Sequence, residues 1–370
     1  MGKKVLLLGG SGLLSLATLK EAMRSGWEVS ILNRGNHNET VPEGVEMMRC
    51  DFRDAARLQK LLAETRFDVI VDFLSREPSD IQRVFPVLRQ SCKQLVFISS
   101  ACVYRRAKED FPIKEDSPKP NRLWSYNVEK YECEETLRLL AKDWDGYYTI
   151  VRPYITYDFN RVPYGIAPRY EYHRTLLERL SHGKPLCLWN QGETKVTLTY
   201  AGDFAKGLVG LFLNDSAVNE DFHITSDFVY TWKEVLQILS QKLGVPYKYV
   251  SCPSSVMSEV MPNEREMLEG DRCLDAVFDN SKIKKAVPGL AFETDLEKGM
   301  EMLIAQYDQR KEYDYDYVYD ALMDRLCAKQ GIRTRYVKYP YAKPASRWVY
   351  MLYRHLPYKK AGKVARRLKL

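Results

Sequence analysis

Three observations in this 370-residue chain predict an α/β fold built on a doubly wound parallel sheet, with a smaller C-terminal substrate lobe and a basic C-terminal tail. The stretch Val5-Leu-Leu-Leu-Gly-Gly-Ser-Gly-Leu-Leu-Ser15 reads as a buried strand that turns through glycines into a helix. Strand-like and helix-like periods then alternate five times before residue 100. The fourth strand, Asp68-Val-Ile-Val-Asp-Phe-Leu74, is apolar at its centre, as a parallel strand covered on both faces requires.

The opening turn suits a diphosphate. Gly9 and Gly10 can take backbone angles closed to other residues, and Gly12 lets the main chain approach a pyrophosphate. The free N–H groups where the helix opens, around Leu13 and Leu14, supply donors and positive potential. Gly9, Gly10, Ser11, Gly12, Leu13 and Leu14 are therefore expected to hold a dinucleotide. Gly9, Gly12 and Ser15 fill a G-x-x-G-x-x-G frame with serine in the last place, and by itself the motif also fits an ordinary strand-to-helix turn.

A helix over Leu14 to Arg24 stops at Gly26, and Glu28 to Asn33 forms a second strand. The end of this strand reaches the adenosine ribose, where an acidic residue accepts from the 2′-hydroxyl and a basic one meets a 2′-phosphate. Here it reads Asn33-Arg34-Gly35, so Arg34 favours NADP over NAD, the other reading being a surface arginine in a turn. Glu46 to Cys50 is the third strand, followed by Asp51-Phe-Arg-Asp54 and a helix through Leu62. Asp51 is positioned for an adenine amino group or, alternatively, for a helix N-cap, and Phe52 beside it joins the cofactor set. After the fourth strand come a helix around Asp80 to Cys92 and a fifth strand, Gln94 to Ser99. Ligands of such a sheet bind outside the carboxyl ends of its strands.

Two further stretches carry chemistry. Ser99-Ser100-Ala-Cys-Val-Tyr104 puts hydroxyls at the carboxyl edge of the sheet, and Ser125-Tyr126-Asn-Val-Glu-Lys130 opens the next helix. Four residues apart, Tyr126 and Lys130 share a helix face, so the ammonium can lie close to the phenol. A phenol of pKa about 10 is a poor base at neutral pH, but neighbouring positive charge favours its phenolate. Tyr126 is thus a candidate general acid/base, with Ser100 donating to the substrate oxygen.

Together, Gly9-x-x-Gly12, Asp51, Ser99-Ser100-Ala-x-Val-Tyr104, Tyr126-x-x-x-Lys130 and Arg152-Pro153 resemble the extended branch of the short-chain dehydrogenase/reductase superfamily over residues 3 to 310. The resemblance implies a Rossmann-type sheet and an NAD(P)-dependent enzyme modifying a nucleotide-linked sugar in polysaccharide or glycan precursor biosynthesis. It implies Ser100, Tyr126 and Lys130 as the catalytic set, with Tyr126 and Lys130 also touching the cofactor. Phe73-Leu-Ser75 stands where the family has an alanine-rich segment along the cofactor. Dehydratases of the branch carry an Asp-Glu pair where this chain has Ala101-Cys102, which disfavours elimination and leaves epimerisation or reduction. Residues 154 to 190 are rich in Tyr, Arg and His, a composition suited to phosphates and sugar hydroxyls and also to a solvated helical face. Ser100, Cys102, Arg169, His173 and Lys195 are the substrate candidates. In the returning strand Val196-Thr-Leu-Thr-Tyr200, a diphosphate-binding arginine common in the family is replaced by Val196, with Lys195 beside it. The same variation resembles an atypical subgroup that includes chloroplast RNA-binding proteins. This makes a non-catalytic nucleic-acid binder the alternative, although Ser100, Tyr126 and Lys130 are all present.

Residues 1–158 and 193–225 are expected to form the dinucleotide-binding domain, 159–192 and 226–330 the substrate lobe, and 331–370 a basic aromatic extension. The eight cysteines and five histidines, among them His37, show neither disulfide nor metal-ligand spacing, so no metal is expected. The absence of a long apolar run or signal-like N-terminus suggests a cytoplasmic protein. From Glu312, tyrosines at 313, 315, 317 and 319 alternate with Asp314, Asp316 and Asp320, a pattern that fits either a β-ladder or the start of a helix reaching Cys327. The net charge of +7 is uneven: residues 331–370 hold twelve Lys and Arg and no Asp or Glu, and the remainder has 44 basic against 49 acidic residues. Tyr336, Tyr339, Tyr341, Trp348, Tyr350, Tyr353 and Tyr358 punctuate this tail, and Ala345–His355 and Lys359–Leu370 have near-helical apolar spacing. The tail suits an anionic membrane surface, giving a peripheral location, or an acidic partner, or docking on the chain's own acidic body; nucleic acid is less favoured. A homodimer is a further expectation.

Overall fold

The computed structural model describes residues 2–36, 40–309, 314–340 and 342–370. His37, Glu312, Tyr313 and Tyr341 lie outside the described residues. The chain begins β1 (Lys4–Leu8), α1 (Leu13–Arg24), β2 (Glu28–Asn33), β3 (Glu46–Arg49), α2 (Ala55–Leu62), β4 (Phe67–Asp72), α3 (Pro78–Leu88), β5 (Cys92–Ile98), α4 (Ser125–Leu140), β6 (Tyr147–Pro153). It continues β7 (Ile155–Tyr157), α5 (Arg174–Ser181), β8 (Leu186–Leu188), β9 (Lys195–Tyr200), α6 (Ala201–Gly210), β10 (Glu220–Ile224), β11 (Val229–Thr231), α7 (Trp232–Lys242), β12 (Tyr249–Ser251), α8 (Ser254–Val260), α9 (Arg265–Met267). The remaining helices are α10 (Ser281–Ala286), α11 (Leu296–Gln309), α12 (Tyr317–Lys329), α13 (Ser346–His355) and α14 (Tyr358–Arg367).

Two compact units result. The first comprises Met1–Thr156, Thr197–Asp227 and Val277–Glu293, and the second Tyr157–Val196, Phe228–Ala276 and Thr294–Leu370. The sequence expectation ran 226–330 as one lobe. Residues 277–293 instead join the sheet-bearing unit, because Ile113 exchanges backbone hydrogen bonds with Val277 and Asp279, and Ile283 and Ala286 enter that unit's core.

The first unit holds seven parallel strands in the order β10-β6-β5-β4-β1-β2-β3. Strand alternation splits the apolar residues between its faces. Leu6, Leu8, Ile70, Leu95 and Phe97 pack with α2, α3 and α4 through Leu58, Ile81, Phe85 and Leu137. Val5, Leu7, Val69, Val71 and Val96 pack with α1 and α6 through Leu19, Ala22, Phe204 and Leu208. The strand order reverses between β1 and β4, the switch point at which sheets of this kind hold ligands.

Below the carboxyl end of β5, Arg152 is fully buried. It donates to both carboxylate oxygens of Glu134 at 2.8 and 2.6 Å, to the Tyr104 hydroxyl at 2.8 Å and to Asp221 at 2.5 Å. Burial works against its charge, but Glu134, Tyr104 and Asp221 hold the guanidinium well above its ordinary pKa. Ser99 joins by donating to Glu134 at 2.5 Å.

In the second unit the tyrosine–aspartate alternation resolves as the start of α12, with the Asp316 side chain accepting from the Tyr319 N–H as its N-cap. Behind this helix, Arg179 donates to Asp320 and, at 2.9 Å, to Asp324, while Lys184 lies 2.7 Å from each carboxylate. Residues 331–370 are fastened to this cluster, with Tyr339 donating to Asp320 at 3.4 Å and Tyr350 to Asp324 at 2.7 Å. All eight cysteines are free thiols, and no helix among the described residues is long and apolar enough to cross a membrane.

Two cations and two carboxylates balance in the cluster, so removing one partner strands a buried charge. Arg179→Leu is expected to destabilise the protein by about 3–5 kcal/mol, measured by chemical denaturation; a loss under about 1 kcal/mol would contradict a buried ionic role.

Candidate active site

The glycine turn is built as a cradle. Gly9 and Gly10 have φ of 121° and 96°, in the region that disfavours any side chain, and a Cβ on Gly10 would meet Ile31 at 2.6 Å. Gly12 is the N-cap of α1. The third fingerprint position, Ser15, is buried, and its hydroxyl accepts from the Gly12 N–H at 3.0 Å and lies 3.3 Å from the Gly12 carbonyl.

A cavity of about 460 Å³ opens over this turn, lined by Gly9, Ser11, Gly12 and Ser15 on one side and by Asn33, Arg34, Asp51 and Phe52 on another. Phe73, Leu74, Arg53 and Arg76 also line it. Leu13 and Leu14 open α1 next to it. Its size is ordinary for a cofactor pocket, and its surroundings fit a dinucleotide: a Cβ-free approach at Gly9, a helix N-terminus, and three arginines in the lining, a charge suited to a polyanion. Arg34 is exposed, and its carbonyl accepts from Arg49. Asp51 is exposed and accepts from the Arg53 N–H, so its carboxylate shapes the turn that it borders; the N-cap of α2 is Asp54.

The far wall of the cavity is tied down by carboxylates. Asp72, at the end of β4, accepts from the Leu74 and Ser75 N–H groups at 2.8 and 3.0 Å and from the Ser75 hydroxyl at 2.5 Å. Asp80, buried in the first turn of α3, accepts two hydrogen bonds from Arg53, at 2.8 and 3.1 Å, and one from the Arg76 N–H. Burial opposes the Asp80 carboxylate, yet Arg53 and the backbone donors hold it below the usual carboxylate range.

Beside this wall stand the hydroxyls singled out in the sequence. Ser100 follows β5 as the cap of a short 3₁₀ turn, accepting from the Cys102 N–H at 3.2 Å, and Tyr126 lies in the first turn of α4. The two side chains are hydrogen-bonded to each other. Burial pushes the Tyr126 phenol up to about 12; Cys102 acts in the same direction, whereas the Ser100 hydrogen bond and the Arg76 charge pull it down. Trp124 packs against the phenol ring, centroids 4.8 Å apart.

Lys130, one helical turn beyond Tyr126 on α4, is engaged with the backbone at two strand ends. Its Nζ is buried and donates to the Ser75 carbonyl at 2.7 Å and the Ile98 carbonyl at 2.9 Å, 4.8 Å from the Phe97 ring centre. Burial lowers its pKa. Arg76 is the cation among the main influences on the phenol.

Cys102 is buried in the same unit, whereas Arg169, His173 and Lys195 belong to the second. Arg169 is exposed and 2.6 Å from Glu171, and Lys195 is exposed at the start of β9. His173 is a correction to the substrate set: it is buried, its Nδ1 accepts from the Val162 N–H at 2.9 Å, and burial pushes its pKa down to about 3, so it is a neutral structural residue. Arg53 and Arg76 escaped the sequence reading. The Asp-x-Arg-Asp turn and the strand end at Ser75 were the available signals for them.

A sequence profile of the NAD dependent epimerase/dehydratase family matches residues 5–225. The chain is 25% identical over 288 residues to the 2′-dehydrokanamycin reductase of Streptomyces kanamyceticus, covering 77% of this chain and 79% of that one. It is 23% identical over 257 residues to chloroplast stem-loop binding protein of 41 kDa b of Arabidopsis thaliana, covering 66% and 64% of the two chains. To the bifunctional UDP-glucose 4-epimerase and UDP-xylose 4-epimerase 1 of Pisum sativum it is 27% identical over 172 residues, 38% of this chain and 48% of the pea protein. Among solved structures, the UDP-glucose 4-epimerase of Thermotoga maritima with UDP-glucose superposes with a TM-score of 0.67 at 19% identity, covering 84% of this chain and 100% of that one. The profile match spans more than half of the sequence, and the sheet order and glycine turn agree with it. The chain therefore belongs to the NAD dependent epimerase/dehydratase family, within the extended short-chain dehydrogenase/reductases, and is an NAD(P)-dependent enzyme.

Proposed function

We propose that this enzyme oxidises or reduces a hydroxyl or keto carbon of a nucleotide-linked sugar, as an epimerase or reductase of glycan precursor synthesis. The observation that carries the reading is the Ser100–Tyr126 hydroxyl pair beside the glycine-lined cavity. When bound, the nicotinamide supplies or accepts the hydride. Tyr126 exchanges the proton at the substrate oxygen, and Ser100 orients that oxygen through its hydroxyl. Lys130 holds the ends of β4 and β5 against α4 and so sets the height of the phenol. Ala101 and Cys102 offer no acid pair for elimination. Arg34, exposed on the cavity wall, supports NADP over NAD, and Arg169 and Lys195 are candidates for the phosphates of the substrate. Likeness to the Arabidopsis stem-loop binding protein supports a second reading, a non-catalytic nucleic-acid binder. Turnover with any sugar nucleotide would exclude it.

Tyr126→Phe is expected to lower kcat by about 10²–10⁴-fold while leaving cofactor affinity within about twofold; retained turnover would remove Tyr126 from the mechanism. A raised phenol pKa has opposite consequences in the two directions. As an acid the phenol is already protonated at neutral pH, so reduction should be nearly independent of pH there. Oxidation needs the phenolate and should accelerate as pH rises. Ser100→Ala removes a hydrogen bond that favours the phenolate, so the alkaline limb of the oxidation profile should move to higher pH, and an unmoved limb would contradict the pairing. Native mass spectrometry and titration should show NADP bound more tightly than NAD, with Arg34→Ala removing the preference; equal affinities in the unaltered protein would reject the role of Arg34.

A further inference from the structure

Of the twelve cations of residues 331–370, seven sit on helices α13 and α14 within the second unit. Lys343 is the one cation of this segment with a carboxylate partner among the described residues, Asp314 at 4.0 Å. Helix α14 buries Ala361 and Ala365, and with about 100° between successive residues it turns Lys359, Lys360, Lys363, Arg366 and Arg367 to the opposite side, all exposed. Helix α13 buries Ser346 and Tyr350 and turns Trp348, Met351 and His355 outward, Trp348 being 68% exposed. Leu368 and Leu370, beyond α14, are exposed as well.

We infer that α13 and α14 dock the protein on an anionic phospholipid surface, with the five α14 cations facing lipid phosphates and Trp348 and Met351 entering the headgroup region. Charge complementarity and the exposed apolar residues both point to this partner. A phosphodiester backbone would match the cations but leave Met351, Leu368 and Leu370 without apolar contact, whereas a lipid interface buries them. The segment is a built surface: Tyr339 and Tyr350 anchor it to Asp320 and Asp324, so α13 and α14 are positioned before any lipid is met. The inference is independent of the reaction proposed above.

Deleting residues 331–370 would remove these two tyrosines from buried carboxylates, so surface substitutions in the full-length chain make the sounder test. Co-sedimentation with vesicles of phosphatidylcholine, alone or with about one quarter phosphatidylglycerol, should show binding to the anionic vesicles only, weakening as salt rises. Combined K359Q/K360Q/K363Q/R366Q/R367Q should weaken that binding about tenfold or more without lowering the melting temperature. Trp348→Ala should weaken it at low and high salt alike. Equal binding to neutral vesicles, no binding to anionic ones, or undiminished binding by the five-fold variant would overturn the inference. So would a stem-loop RNA complex, or a homodimer, that those five substitutions abolish while vesicle binding is absent.

Discussion

A buried ammonium that bridges two strand ends underlies the geometry of the candidate site. Lys130 reaches from α4 to the carbonyls that follow β4 and end β5, groups that would otherwise lie buried with an acceptor site unfilled. Its charge is balanced by carbonyl dipoles, the Phe97 ring face and the nearby Asp72 carboxylate rather than by a direct ion pair. The bridge fixes the start of α4 relative to the sheet edge. Tyr126, one turn earlier on the same helix, consequently meets Ser100 at the end of β5.

The two units solve a similar problem in similar ways. In the first, Arg152 and Arg138 meet Glu134 and Asp221; in the second, Arg179 and Lys184 meet Asp320 and Asp324. In each, two cations meet two carboxylates and a tyrosine hydroxyl joins them, Tyr104 accepting from Arg152 in the first set and Tyr350 donating to Asp324 in the second. Such sets contribute little net stability compared with apolar packing, but they penalise any arrangement that separates one member. They therefore specify which segments must come together: α4 with β6 in one unit, α5 with α12 and the C-terminal helices in the other.

What the sequence made legible was local. The glycine turn, the alternation of strand and helix, and the Tyr126-x-x-x-Lys130 spacing depend on residues within a turn or two of each other, and the family match and sheet order bear out the fold they predict. The ties that shape the site span long distances in sequence. Lys130 and Ser75 are 55 residues apart, and Arg179 and Asp320 are 141 apart, so no periodicity could announce them. Arg53 was hidden for the same reason, since its orientation depends on Asp80, a buried residue 27 positions away. His173 stood in a stretch whose composition suits ligand binding, and only tertiary burial distinguishes a neutral acceptor of the Val162 N–H from a solvent-facing imidazole. The Tyr–Asp alternation fitted two periods until the Asp316 cap selected the helix.

Serine in place of the third fingerprint glycine changes the character of the nucleotide turn. The Ser15 hydroxyl occupies the Gly12 N–H, a donor that a glycine at that place would leave to solvent or to an incoming anion. The first loop is thereby internally braced, and later amides of α1 become the ones available to phosphate oxygens. A braced loop has less freedom to surrender on association, so its shape is set by the protein and not by its guest.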